Sequence, residues 1–441
     1  MAEIFRAYDI RGLYPSELNE ELAYKIGRAF VSFLNVKSVV VGSDARLSSP
    51  QLFEALTKGI NDQGADVINI GLCSTPMFYF CSGGAEASIM VTASHNPKEF
   101  NGFKLCRENA FPISEENGIK DIQRLVQDNN FAKAEKGEIT QKNCLDSFIK
   151  QNLGFLENIK PLRIILDSGN GMSGYTFPKI FEQIEGVDLI TLYEELDFSF
   201  PNHEANPLNF DTLKDLQKEV VKEKADFGIA TDGDGDRCIF IDETGGIISS
   251  DLTTALIAIQ ILKHNPRTSI MYDIRCSKIV KETIEQNGGK AVMSRVGHSF
   301  IKKQMRENDI LFAGELSGHL YFKENNYAES AFISTAYIMN LLSSSGKKLS
   351  ELVAPLHQYF FTGEINSKVI NKETMMTKIE SVYKDSSKEI MHLDGLSMYF
   401  EDWWFNLRPS NTENLLRLNL EANSNELMVE KKQELLNLIR S

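Results

Sequence analysis

Apolar positions along the chain alternate between strand-like runs and helix-like spacing, and they do so three times in the same order. Residues 38–42 are a short apolar run of strand length. Leu52, Phe53, Leu56 and Ile60 follow at helical spacing across 49–63, Gly64 stops that helix, and 66–70 reads as the next strand. The unit recurs as strand 163–167, a glycine-rich loop, a helix ending at Phe181, and strand 188–192. It recurs again as strand 269–273, helix 277–286, a stop at Gly288-Gly289, and strand 291–294. The copies lie about 105–125 residues apart, too far for a solenoid repeat and well suited to three related α/β domains in tandem with parallel strand pairing.

Beyond residue 361 the pattern changes. Strands are expected at 362–369, 403–407 and 415–421, with helices at 373–384 and 426–439. This predicts a smaller C-terminal α+β domain. The expected division is 1–142, 143–248, 249–361 and 362–441, with linkers near 137–143, 245–250 and 360–363.

Composition narrows the classes. Of 441 residues, 42% are hydrophobic and 24% charged, which excludes a disordered chain. Asp and Glu (61) outnumber Lys and Arg (47), for a net charge of −14. Such a surface opposes binding to nucleic acid or an anionic membrane, so neither is expected as a partner. No apolar run approaches the roughly 18–20 residues that span a bilayer, and the start has no secretory apolar region. A cytoplasmic location follows as an expectation. Cys73, Cys81, Cys106, Cys144, Cys238 and Cys276 form no CxxC pair and read as six reduced thiols.

Four segments carry chemistry. Asp232-Gly-Asp-Gly-Asp236 and Arg237 follow the apolar strand 227–230. Alternate side chains of extended backbone share a face, so three carboxylates converge, and a hard cation such as Mg²⁺ offsets their repulsion. A solvated acidic turn and an EF-hand compete with that reading; in the latter, Arg237 would stand where the loop needs glycine. Thr92-Ala-Ser-His-Asn-Pro97 follows strand 87–91 and puts Ser94 just past a strand end, where α/β sheets place ligands. A helix-capping serine is the plain alternative, and His95, adjacent in the chain, is not thereby adjacent in space. Lys104 follows shortly as a basic side chain near the same strand ends. In Gly314-Glu-Leu-Ser-Gly-His319, Glu315, Ser317 and His319 alternate and suit sugar hydroxyls, although a simple turn explains the pattern equally. In Arg408-Pro-Ser-Asn-Thr412, an arginine fork, Ser410, Asn411 and Thr412 suit a phosphate; a capped turn is the alternative.

These four segments, together with Arg6-Ala-Tyr-Asp-Ile-Arg-Gly12 and Gly42-Ser-Asp-Ala-Arg-Leu-Ser-Ser49, resemble in order the α-D-phosphohexomutase family. The likeness is strongest to its phosphomannomutase/phosphoglucomutase branch, on the GELSGH, DGDGDR and RPSNTEN segments and Phe200-Pro-Asn-His203. Asn414 stands where the family often has proline, and Arg275 where a related bacterial type has lysine. The resemblance implies four domains around a central cleft. It implies reversible phosphoryl transfer between the 1- and 6-positions of a hexose phosphate, mannose or glucose, through a phosphoserine and a hexose 1,6-bisphosphate. By position it implies Ser94 as the phosphoserine, with Asp232, Asp234, Asp236 and the Ser94 phosphate on one Mg²⁺. Lys104 and Arg11 would assist proton transfer and charge stabilisation, Lys104 with a pKa that burial could lower, and His298 would lie nearby. Tyr8, Arg237, Arg275, Glu315, Ser317 and His319 would hold the sugar phosphate, with Arg408, Ser410, Asn411 and Thr412 on its phosphate. A monomer or weak homodimer is expected. Phosphoglucosamine mutase and a non-catalytic sugar-phosphate sensor are the competing functions.

Overall fold

The computed structural model describes residues 4–410 and 414–440. Four sheets follow one another along the chain. The first three share one core pattern. A central strand (Ser38–Ser43, Leu162–Asp167, Ser269–Asp273) pairs in parallel with the next strand on one side (Asp66–Leu72, Val187–Leu192, Lys290–Ser294). On its other side lies a parallel third strand (Ser88–Val91, Phe227–Thr231, Phe312–Gly314). An antiparallel fourth strand (Phe100–Arg107, Cys238–Asp242, Leu320–Phe322) folds back on the third. The central and third strands are almost wholly buried because helices cover both faces, which is why they read as unbroken apolar runs, whereas the outer parallel strands are only half-buried.

This shared pattern has a functional consequence. The turn from third to fourth strand is residues 92–99 in the first repeat, 232–237 in the second and 315–319 in the third. Three of the four chemically marked segments thus occupy the same place in three copies of one unit. The fourth segment begins at the end of Trp403–Pro409, which pairs antiparallel with Leu415–Ala422 in the C-terminal sheet.

Each expected linker contains a short strand. Ile139–Gln141 extends the first sheet beside Asp66–Leu72, and Ile247–Ile248 extends the second. Phe360–Phe361 pairs with Ala422 and Glu421, so these two residues belong to the fourth sheet rather than to the end of the third unit. The sequence hides all three because edge strands of two or three residues have too little periodicity to register.

One apolar core runs through all three α/β units, from Val40 and Phe78 through Ile164 and Phe177 to Phe332 and Leu356. The C-terminal unit has a separate core around Ile379, Trp403, Phe405 and Leu435. Its contacts with the third unit include polar joints, with Lys278 N–H donating to Glu421 Oε1 (3.1 Å) and Val296 N–H to Asp394 Oδ2 (3.0 Å). Cys81, ending helix Thr75–Cys81, and Cys144, preceding helix Leu145–Leu153, stand side by side with Cα atoms 6.3 Å apart. The two helices are brought together by packing such as Phe80 on Phe148, a proximity spacing in the sequence does not reveal. The other four cysteines are buried free thiols.

Candidate active site

The four turns converge on one cleft of about 370 Å³. Its wall includes Tyr8, Arg11, Ser94, Lys104, Asp236, Arg237, Arg275 and His298. Glu315, Ser317, His319, Arg408 and Ser410 complete the residues that the sequence singled out there. Asp232 and Asp234 stand directly behind that surface, in contact with Ser94 and Lys104. Asn411 and Thr412 lie outside the described residues.

Ser94 Oγ donates to Asp232 Oδ2 at 2.9 Å, joining the first and second repeats. The approach is close because residue 233 has no side chain: a Cβ there would stand 2.6 Å from the Ser94 carbonyl oxygen. Gly235 takes a φ of +75°, which lets the chain curl so that the three aspartates face inward. His95 Nδ1 is 3.2 Å from Ser94 Oγ, so the two chain neighbours are also neighbours in space.

Ser94 itself has a φ of +51°, a left-handed conformation that costs a non-glycine residue energy. A buried arginine, to which the sequence reading gave no role, holds it there. Arg46 donates to the carbonyl oxygens of Ser94 (2.7 Å), Asn96 (2.8 Å), Pro97 (2.9 Å) and Phe100 (3.0 Å). Its charge is balanced by Asp44, 3.3 Å away, and both side chains are fully buried. Phe198 and Phe200 of the second unit cover the guanidinium, with ring centres 5.6 and 5.7 Å away.

Asp232, Asp234 and Asp236 are buried, with ligand oxygens within 4.8 Å of one another. Two unit charges at 4 Å repel by about 4 kcal/mol at an effective dielectric of 20. Burial, reinforced by Asp236 and Asp234, holds the Asp232 carboxyl well above the ordinary carboxylate range. Lys104 Nζ supplies one compensating charge, 2.7 Å from Asp234 Oδ2 and 2.5 Å from Asp236 Oδ2. Against the burial penalty, Lys104 keeps the Asp236 carboxyl well below that range. Asp234 Oδ1 is buried without a hydrogen-bond partner among the described residues, and Asp236 Oδ1 has only His319 Nε2 near it, at 3.4 Å. Three convergent carboxylates, two of them with an underused oxygen, fit a hard divalent cation.

The expectation that burial could lower the Lys104 pKa is overturned. Burial does work against its charge, but Asp234 and Asp236 outweigh it and raise the pKa above the ordinary lysine value. Neutral bases exist elsewhere in the wall. Arg237 and burial hold the His95 imidazole well below its usual value, and burial with Lys302 does the same for His298.

The remaining predicted residues line the rest of the cleft. Tyr8 packs edge-on against His298, ring centres 5.5 Å apart. Arg11 Nη1 donates to Asn96 Oδ1 at 2.6 Å, so it braces the Ser94 turn. Arg237 Nε donates to His319 Nε2 at 3.1 Å, linking the second and third turns. Ser317 Oγ lies 2.8 Å from His319 Nδ1, and Tyr321 donates to Glu315 at 2.7 Å. Arg275 pairs with Asp273 (2.7 Å) and reaches Glu315 (3.3 Å). Beneath this wall, Lys302 and Glu329 form a buried pair at 2.6 Å, and Glu329 clusters with Asp236 and His319. Neither residue belongs to a recognisable motif; only an unexplained lysine on a helix face at 302 hints at it.

Comparison with known proteins agrees with this architecture. The alpha/beta/alpha domains I, II and III of phosphoglucomutase/phosphomannomutase match residues 2–133, 145–246 and 249–359, and the C-terminal domain of the same family matches 364–438. A phosphomannomutase of Methanocaldococcus jannaschii is 40% identical over 440 residues, covering 99% of this chain and 97% of the relative. A phosphomannomutase of Escherichia coli K12 is 39% identical, covering 99% and 98%. The crystal structure of a phosphoglucomutase/phosphomannomutase family protein from Burkholderia thailandensis superposes with a TM-score of 0.92 at 30% identity, covering 99% of this chain and 97% of that one.

Proposed function

Because the chain belongs to the phosphoglucomutase/phosphomannomutase family, we propose that it interconverts hexose 1-phosphate and hexose 6-phosphate, of mannose, glucose or both, with Ser94 as the phosphoryl carrier. The observation that carries this reading is the contact of Ser94 Oγ with Asp232, at 2.9 Å, in the same cleft as the Glu315 turn and the Arg408 turn.

Asp232, Asp234 and Asp236, with an oxygen of a phosphate on Ser94, are the residues that would hold Mg²⁺. When bound, the ion neutralises charge on the transferring phosphoryl group. The protein's own groups do the rest. Arg408 and Ser410, with Asn411 and Thr412, grip the phosphate already on the sugar. Glu315 and Ser317 accept and donate to sugar hydroxyls, with Arg237, Arg275, His319 and Tyr8 closing the wall.

The attacking sugar hydroxyl forms a bond to the phosphorus as the bond from phosphorus to Ser94 Oγ breaks. The hydroxyl proton passes to a neutral imidazole of the wall, His298, and the released serine oxygen is stabilised by Lys104 and takes a proton through His95 beside it. Arg11 steadies the turn and adds positive charge. The hexose 1,6-bisphosphate then turns end for end, and the other phosphate returns to Ser94 by the reverse of the same step. Ser94 is itself only 3% exposed, which limits the access of water to a phosphate carried there.

Intact-protein mass analysis and a coupled mutase assay test this together. The wild type is expected to carry one phosphate removable on incubation with hexose 1- or 6-phosphate, and EDTA is expected to abolish turnover with Mg²⁺ restoring it. Ser94→Ala should lose both the phosphate and isomerisation. Isomerisation that survives in Ser94→Ala would overturn the assignment.

A further inference from the structure

Arg408 and Arg417 are direct cross-strand partners in the C-terminal sheet, on the two strands that flank the phosphate turn. Directly opposed residues project from the same face, and like charges so placed repel. Both line the cleft. A carboxylate stands between them: Glu364 Oε2 lies 3.4 Å from Arg408 Nη2, and Glu364 Oε1 lies 3.5 Å from Arg417 Nη1. The same carboxylate is 3.9 Å from Arg275 Nη1 in the third unit. These are long, single contacts, not the bidentate grip that an arginine pair gives an anion shaped for it. The donors are correspondingly underused. Arg408 Nε, Arg417 Nε and Ser410 Oγ are all buried without a hydrogen-bond partner among the described residues, and Ser410 is only 3% exposed.

Two opposed guanidiniums and a buried hydroxyl with unspent donors describe a site for a dianion with several oxygens. A single carboxylate, at the solvent edge and 27% exposed, meets only part of that demand. We propose that Glu364 competes with the sugar's phosphate for the Arg408–Arg417 pair, being displaced as the phosphate enters. The idea rests on the reading of the 408–412 turn as the phosphate site. It extends that reading by adding an internal competitor that weakens phosphate binding. Because Glu364 also reaches Arg275, its displacement loosens one of the charged links between the third unit and the C-terminal unit. Phosphate entry and the freedom of the C-terminal unit are thereby coupled through one side chain.

The test measures binding of inorganic phosphate to the full-length protein by calorimetry, alongside KM for glucose 1-phosphate, in wild type, Glu364→Gln and Arg417→Gln. Removing the competing charge should tighten phosphate binding and lower KM by roughly three- to tenfold, the scale of one or two partly exposed ion pairs. Arg417→Gln should weaken both by about tenfold or more, with Arg417→Lys intermediate because a point charge replaces a fork. Phosphate affinity and KM that are unchanged or weaker in Glu364→Gln would overturn the competition, and unchanged values in Arg417→Gln would remove that residue from the site. A protein that shows the expected order of phosphate affinities yet turns over no hexose phosphate would refute the mutase reading and leave this one standing. Mutase turnover with KM indifferent to both variants would do the reverse.

Discussion

Replacing Arg46 with methionine isolates the device that holds Ser94 in its left-handed conformation. The side chain is fully buried and paired with an equally buried Asp44 at 3.3 Å. Removing one partner of such a pair costs about 3–5 kcal/mol, because the other is left as an uncompensated charge. Four carbonyl oxygens between Ser94 and Phe100 also lose their donor, but residues 97–99 are exposed and water can reach that end of the turn. The loss is therefore set mainly by Asp44 and by the Ser94 and Asn96 carbonyls. Because four units need not unfold together, a global melting curve is a poor readout. Amide exchange of residues 92–101 is a direct one, since Ser94 N–H is held by Thr92 Oγ1 and Asn96 N–H by the Ala93 carbonyl. A weakening of 3–5 kcal/mol corresponds to exchange faster by about two to four orders of magnitude. Turnover should fall by ~10²-fold, the usual cost of displacing a reacting atom by about 1 Å, while KM, set on the far wall, should change less. Adding Asp44→Asn to the variant should recover part of the protection by removing the stranded charge. Exchange accelerated by less than about tenfold, or ~1.4 kcal/mol, with near-native turnover, would refute the clamp and leave the turn supported by its own backbone.

Two further outcomes follow from buried charge. Lys302 and Glu329 form a fully buried pair with Lys302 Nζ 3.8 Å from the centre of the Tyr79 ring, so Lys302→Met or Glu329→Gln alone should destabilise the third unit by about 3–5 kcal/mol in urea titration, and the double variant should regain much of it; equal loss in all three would contradict the pairing. His203 lies 3.1 Å from Asp167, which raises its pKa against the opposing burial. Its contribution is therefore complete below the unfolded value of about 6.5 and is lost as pH rises through the higher folded value, so the thermal midpoint of the second unit should drop across neutral to mildly alkaline pH in wild type and not in His203→Gln.

What the sequence made legible, and what it hid, divides along physical lines. The three strand–helix–strand units were readable because strands buried on both faces appear as unbroken apolar runs, as at 88–91 and 227–231. The site was readable wherever a short polar motif follows such a strand, because the strand end fixes where the motif lies. It was unreadable where function depends on a partner far along the chain. Arg46 reaches carbonyls some 48–54 residues away, and Glu364 reaches an arginine at 417 across a strand register. Lys104 shows the limit of arguing from one influence: burial alone predicts a lowered pKa, but the two carboxylates that the fold brings to it reverse the sign.

The division of cores bears on how a bisphosphate can turn over within one cleft. Ser94, the three aspartates and Glu315 sit on equivalent turns of three units that share one continuous apolar core. Sliding these units past one another would break that core, so the distances among the Ser94, aspartate and Glu315 turns are fixed by packing. The proposed phosphate site rides on a unit with its own core, and charged side chains form joints between it and the rest. Inter-domain contacts within a chain open at modest cost unless they are large and apolar. On the proposed roles of Ser94 and the Arg408 turn, a shift of the C-terminal unit is the movement that leaves the Ser94–Asp232 contact intact. In the opposite arrangement, a loose transfer centre under a fixed phosphate grip, the Ser94–Asp232 contact would have to be rebuilt in every cycle.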